Sequence, residues 1–236
     1  MPERVALTLL PGLLCARSVW AAQEAALSDI ADVSVADFWG FDSIGKMAAS
    51  VLASAPATFA VVGHSMGGRV AMEVARMAPE RVTRLALLDT GYLPAAPDEP
   101  ARRQALIDVA RNQGMAALAA QWLPGMVNPA RHHDAALMDP MVAMVCRATP
   151  DIYAGQIKAL LERPDARTGL GAIRCPTLVA CGRLDAWSPV AQHEELAAMI
   201  PGATLAVIED SGHMVTLEAP GATSALLRRW LLGESA

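Results

Sequence analysis

The residues best suited to chemistry are Gly63-His64-Ser65-Met66-Gly67-Gly68, which fill every fixed position of a G-x-S-x-G motif. They follow the apolar run Phe59–Val62 directly and precede a helical pattern. A strand–turn–helix context of this kind forces the serine into a strained backbone conformation, and a Cβ at Gly63 or Gly67 would strike neighbouring backbone. The turn lifts the hydroxyl above a sheet edge at a helix N-terminus, where backbone N–H groups can hold developing negative charge. A serine that merely caps a helix would not need strand, glycines and helix together.

A serine hydroxyl is a weak nucleophile at neutral pH and needs a base within hydrogen-bond reach, usually histidine. Five histidines compete. His213 lies in the polar loop Glu209-Asp210-Ser211-Gly212-His213 after the last apolar run, at a strand end where a parallel sheet places catalytic loops. His64 adjoins the serine and is expected to point away and pack structurally; His132, His133 and His193 sit in helical or helix-flanking contexts and are expected to be solvated. The base in turn needs a carboxylate to fix its tautomer. Asp185, in Gly182-Arg183-Leu184-Asp185, gives the chain order serine, aspartate, histidine. Its rival is Asp89, also at a strand end, in Leu87-Leu88-Asp89-Thr90.

Acyl transfer also requires two donors aimed at the oxyanion. One would be the N–H of Met66, and the other would come from Pro11-Gly12-Leu13-Leu14, which follows an early strand; Leu13 is the first choice and Leu14 the second. Further along, Met115, Trp122, Met126, Leu137, Met138, Met141 and Met144 form a soft apolar set. Most must pack helices, but Trp122, Met126 and Met141 are taken as pocket-lining candidates. The arginines and lysine of this region, Arg102, Arg103, Arg111, Arg131 and Lys158, are expected to face mostly solvent.

These residues need a scaffold, and the apolar patterning supplies one. Strands are expected at Val5–Leu10, Asp32–Ala36, Phe59–Val62, Leu85–Leu88, Leu178–Ala180 and Leu205–Ile208. Helices are expected at Val19–Leu27, Ile44–Ala53, Met66–Ala78, Val190–Ile200 and Ala222–Leu232, which implies a doubly wound, mostly parallel sheet. From Pro94 to about Arg167 the pattern is helical throughout, between turn-rich segments. The expected organisation is therefore an α/β core of residues 1–93 and 168–236 carrying a helical cap of residues 94–167.

Composition narrows the function classes. Of the 236 residues 53% are hydrophobic and 18% charged, enough for a large core. A net charge of −5 without a basic cluster argues against nucleic acid or an anionic membrane as partner. Cys15, Cys146, Cys175 and Cys181 lack the close pairing of a zinc or redox site and read as reduced thiols of a cytoplasmic protein. The apolar run Val5–Leu14 imitates a secretory signal, but Pro11-Gly12 interrupts it and Leu14 is too large to precede a cleavage site.

The sequence resembles the α/β-hydrolase superfamily, and within it the capped bacterial carboxylesterases and enol-lactonases. The resemblance spans essentially the whole chain. It rests on Leu10-Pro11-Gly12, the Ser65 motif, Cys175-Pro176-Thr177-Leu178, Gly182-Arg183-Leu184-Asp185 with Pro189, and Ser211-Gly212-His213 with Glu218-Ala219-Pro220. In that family an antiparallel hairpin usually precedes the oxyanion strand and His-Gly precedes the oxyanion residue. Here the first strand starts near Met1, which implies a smaller sheet, and Pro11-Gly12 stands in place of His-Gly. The resemblance implies a serine hydrolase that cleaves carboxylic esters of small apolar or aromatic groups through an acyl-enzyme, with no metal or organic cofactor. Lactones, thioesters and hydrolysable carbon–carbon bonds fit the same residues, and a triad-bearing lyase or a ligand-binding receptor is the alternative class.

Overall fold

The structure, a computed structural model, describes residues 4–234. Its elements run β1 (Val5–Leu10), α1 (Ala21–Leu27), β2 (Ala31–Val35), α2 (Ile44–Ser54), β3 (Phe59–His64), α3 (Met66–Met77) and β4 (Val82–Leu88). A helical stretch follows, α4 (Glu99–Gln113), α5 (Met115–Trp122), α6 (Ala135–Cys146), α7 (Pro150–Leu161) and α8 (Arg167–Leu170). The chain then returns to the sheet with β5 (Thr177–Gly182), α9 (Val190–Met199), β6 (Thr204–Ile208), α10 (Val215–Glu218) and α11 (Pro220–Leu232).

The six strands form one sheet in the order β2-β1-β3-β4-β5-β6, and every neighbouring pair is parallel. Parallel strands need crossover connections, which is why helices alternate with them and flank the sheet. β3 and β5 are buried at every position, as central strands covered on both faces must be, whereas the edge strands β2 and β6 alternate or stay half-exposed. The chain moves outward from β1 to β2 and then crosses back to β3, so the strand order reverses between β1 and β3. Open α/β sheets bind ligands outside the carboxyl ends at such a reversal. The two loops that leave the sheet there carry Pro11–Leu14 and Ser65.

Among the described residues no antiparallel hairpin precedes β1, and no strand lies between Leu88 and Thr177. β4 begins three residues earlier than its apolar run suggests, because Thr83 and Arg84 occupy exposed and half-buried positions at the start of the strand. The insertion between β4 and β5 shares one continuous apolar core with the sheet, through Trp122, Met141, Tyr153 and Ile157. None of the described helices is long and apolar enough to cross a membrane.

Candidate active site

Ser65 sits between β3 and α3 with φ 54° and ψ −116°, a left-handed conformation that a residue with a side chain adopts only when its surroundings enforce it. Close backbone contact supplies the enforcement. A Cβ on Gly63 would lie 2.2 Å from the carbonyl oxygen of Gly67, and one on Gly67 would lie 2.1 Å from that of Leu10. Thr90 adds a clamp by donating its hydroxyl to the Ser65 carbonyl at 2.7 Å.

The hydroxyl this turn presents lies 2.8 Å from His213 Nε2, and His213 Nδ1 lies 2.8 Å from Asp185 Oδ2. Three loops at the carboxyl ends of β3, β5 and β6 thus bring Ser65, Asp185 and His213 into one hydrogen-bonded chain. The other carboxylate oxygen of Asp185 accepts from the backbone N–H of Trp187 at 2.8 Å and of Ser188 at 2.9 Å. Burial by itself would raise the Asp185 carboxyl, but the charge and hydrogen bond of His213 and these backbone donors outweigh it, holding the group below its ordinary value.

Asp89 also lines the cavity but is built differently. It accepts from Gly182 N at 2.9 Å and Val215 N at 3.3 Å, makes no hydrogen bond to His213, and has burial and the charge of Asp185 pushing its carboxyl well above the usual range. His64 points away from the serine hydroxyl, as its position suggests, and donates from Nε2 to the carbonyl of His213 at 2.7 Å. Burial, helped by the charge of His213, draws its imidazole down to about 4, so it is neutral near pH 7. His193 departs from expectation. Rather than being solvated it is fully buried beside β4, where Nε2 accepts from Thr90 N at 3.0 Å. His132 is half-buried and His133 exposed.

The loop after β1 lies against the serine, since a Cβ on Gly12 would stand 3.2 Å from Ser65 Cβ. Leu14 has φ 58° and gives its N–H to Gln156 Oε1 at 2.8 Å, which removes it as an oxyanion donor. Among the described residues the N–H groups of Leu13 and Met66 have no such partner. Gln156, buried on α7, also donates to the carbonyl of Phe38 at 3.0 Å and so fixes this loop from the insertion. Nothing local to Gln156 in the sequence marks that role.

The insertion is fastened to the His213 loop at a second corner. Glu218 accepts from Gly212 N at 2.9 Å, Met214 N at 3.1 Å and Asn128 N at 2.7 Å. Arg131 donates to the Glu218 carbonyl at 2.7 Å, and His213 N donates to Met126 O at 2.9 Å. Asn128 Nδ2 completes the corner on the carbonyl of Asp210 at 2.9 Å.

Above Ser65 lies a cavity of about 520 Å³. Trp122, Met126, Met141 and Met144 line it, while Met115, Leu137 and Met138 do not. Trp187, which sequence reasoning passed over, lines it too and donates its indole N–H to Gly125 O at 2.8 Å. The expectation that the arginines of the insertion face solvent fails for Arg103, because it turns inward onto Glu99. Arg69 and Arg163 join it, so one wall of the cavity is cationic. Cys15 also lines the cavity, but burial pushes its thiol up to about 12, leaving it a poor nucleophile beside the serine. Among the described residues no group of three or more His, Cys, Asp or Glu side chains could hold a metal ion.

A serine on a strained strand-to-helix turn, over the carboxyl ends of a parallel sheet whose later loops supply aspartate and then histidine, defines an α/β-hydrolase. Residues 9–226 match the alpha/beta hydrolase family, and the chain belongs to it. It is 30% identical over 198 residues to a pimeloyl-(acyl-carrier protein) methyl ester esterase of Aromatoleum aromaticum, covering 75% of this chain and 76% of that one. Among solved structures it is similar to a thermophilic esterase from Thermogutta terrifontis, with a TM-score of 0.87, 28% identity, and 97% and 90% of the two chains covered. It also resembles the enol-lactonase of Burkholderia xenovorans, with a TM-score of 0.88, 26% identity, and 98% and 92% covered. By family and fold the chain is a hydrolase.

Proposed function

We propose that the protein hydrolyses carboxylic esters of small apolar or aromatic groups through an acyl-enzyme. The observation that carries this reading is the hydrogen-bonded chain from Ser65 Oγ through His213 to Asp185, with both links at 2.8 Å. In the first half-reaction Ser65 Oγ attacks the ester carbonyl while its proton passes to His213 Nε2. Asp185 holds the ring so that Nδ1 carries a hydrogen and Nε2 is free to accept. The N–H groups of Leu13 and Met66 donate to the oxyanion of the tetrahedral intermediate. His213 then returns the proton to the departing alcohol, and water, deprotonated by the same nitrogen, releases the acid and restores Ser65. Trp122, Met126 and Met141 offer the acyl chain apolar surface, worth roughly 0.8 kcal/mol for each methylene buried.

The test is labelling with a fluorophosphonate followed by mapping of the adduct. The expected result is one adduct on Ser65, and a folded Ser65→Ala protein that neither labels nor turns over generic esters above roughly a millionth of the wild-type rate. Unimpaired ester hydrolysis by Ser65→Ala would overturn the reading.

A further inference from the structure

The cationic wall of the cavity takes no part in the acyl transfer described above. Arg69 follows Ser65 by four residues, so it leaves α3 about one helical turn beyond the nucleophile and lines the same cavity. Arg103, Arg163 and Glu99 line it too.

Glu99 is fully engaged by its neighbours. Arg103 Nε donates to Oε1 at 2.7 Å, Arg163 donates to Oε1 at 2.9 Å and to Oε2 at 2.7 Å, and Ala96 N reaches Oε2 at 3.3 Å. Burial works to raise its carboxyl, but the two guanidiniums prevail and hold it at about 2. Asp165, the other carboxylate whose charge Arg69 feels, is taken by Arg167, whose Nε lies 2.9 Å and 3.0 Å from its two oxygens.

Arg69 is left over. It makes no side-chain hydrogen bond or ion pair with any described residue, and its Nη1 is buried without a partner. Burial and the like charge of Arg163 draw its guanidinium down to about 9, which still leaves it a cation at neutral pH. A desolvated charge without a counter-ion is costly, and such groups concentrate at functional sites. The local packing makes room for it. A Cβ on Gly91 would fall 2.9 Å from Arg69 Nη2 and 2.9 Å from Gln192 Oε1, and all three residues line the cavity.

We propose that this wall is a carboxylate-binding subsite, in which Arg69 pairs with a carboxylate carried by the substrate some atoms away from the bond that Ser65 attacks. The planar guanidinium matches the two oxygens of a carboxylate, and the apolar side of the cavity suits the methylenes between that carboxylate and the ester. The preferred substrates are thus half-esters or related acyl compounds of dicarboxylic acids. The kinetic consequence rests on the ester-hydrolase reading, but binding of the anion does not.

The test compares monoethyl glutarate with ethyl pentanoate, which differ in replacing a terminal carboxylate by a methyl group. Binding is measured by calorimetry in the Ser65→Ala protein, where neither ligand is consumed. Monoethyl glutarate is expected to bind roughly tenfold to a hundredfold more tightly, with the advantage lost in Arg69→Met and partly kept in Arg69→Lys. Should Arg69→Met not fold, Gly91→Ala, which crowds Nη2, should weaken monoethyl glutarate selectively. In protein with Ser65 intact, the ratio of specificity constants for the two esters should fall by the same factor on Arg69→Met. Hydrolysis of both esters with no advantage for the anionic one overturns the subsite and leaves the hydrolase reading standing. Arg69-dependent binding without turnover of either ester, and without labelling of Ser65, does the reverse. Tighter binding of inorganic phosphate than of monoethyl glutarate would overturn the assignment to a carboxylate.

Discussion

Asp185→Asn should disable the enzyme for a reason that can be traced atom by atom. Trp187 N and Ser188 N both donate to Oδ1 of Asp185, at 2.8 Å and 2.9 Å, so the variant must place its amide oxygen there. Its NH₂ then occupies the place of Oδ2, 2.8 Å from His213 Nδ1, and presents a donor where an acceptor is needed. His213 answers by carrying its hydrogen on Nε2. That hydrogen points at Ser65 Oγ, and the ring can no longer take the proton of the nucleophile. A histidine held in the wrong tautomer costs about four orders of magnitude in rate, or about 5 kcal/mol of barrier. Asp89→Asn should behave otherwise. Its carboxyl sits well above the usual range and makes no hydrogen bond to His213, so an isosteric neutral amide should lower kcat by less than about tenfold and act mainly on stability. The assay is kcat on a generic ester for both purified variants, with folding checked by circular dichroism. If the two variants exchange ranks, or if Asp185→Asn keeps more than a tenth of the wild-type rate, the reasoning is wrong.

Two further outcomes follow from geometry. Because His64 is held neutral, at about 4 in the fold against an ordinary value near 6.5, its contribution to stability is complete above 6.5 and is lost as pH falls towards 4. Urea unfolding at pH 7.5 and pH 4 should therefore show about 3 kcal/mol of extra acid destabilisation relative to His64→Gln, and identical pH dependence of the two proteins would refute it. Gly67→Ala puts a Cβ 2.1 Å from the Leu10 carbonyl, against backbone that cannot swing aside. It should cost about 3 kcal/mol or more and lower the melting temperature accordingly, and an unchanged melting curve would count against the packing described.

What the sequence made legible was local or repetitive. The Ser65 turn is written within six consecutive residues, and the sheet within the alternation of short apolar runs and longer helical patterns. Chain order and strand ends constrain where the partners of Ser65 can lie, and the structure places His213 in hydrogen-bond reach of Ser65 and Asp185 in reach of His213. What stayed hidden depends on partners far away in the chain. Gln156 acts on Leu14 across 142 residues, and Glu218 on Asn128 across 90, and no periodicity encodes either meeting. Arg102 and Arg103 are neighbours on α4, so their side chains leave the helix in different directions. Arg102 is 68% exposed, whereas Arg103 is 16% exposed on Glu99, and helical spacing alone could not say which residue would turn inward. The burial of His193 is hidden for the same reason, because its environment is made by Thr90 on another part of the chain.

The Glu218 corner also bears on how this protein can open and how its kind can diversify. One carboxylate gathers the backbone on either side of His213 together with that of Asn128, so the His213 loop and this edge of the insertion share a knot. Structure tied in this way opens as one cooperative unit, and amide exchange at Gly212, Met214 and Asn128 should report a common opening free energy. An excursion that lifts this edge of the insertion away also breaks the bond from His213 N to Met126 O. An insertion transplanted from a relative is therefore expected to need both the 126–131 segment and the loop from 210 to 218 to keep this knot tied.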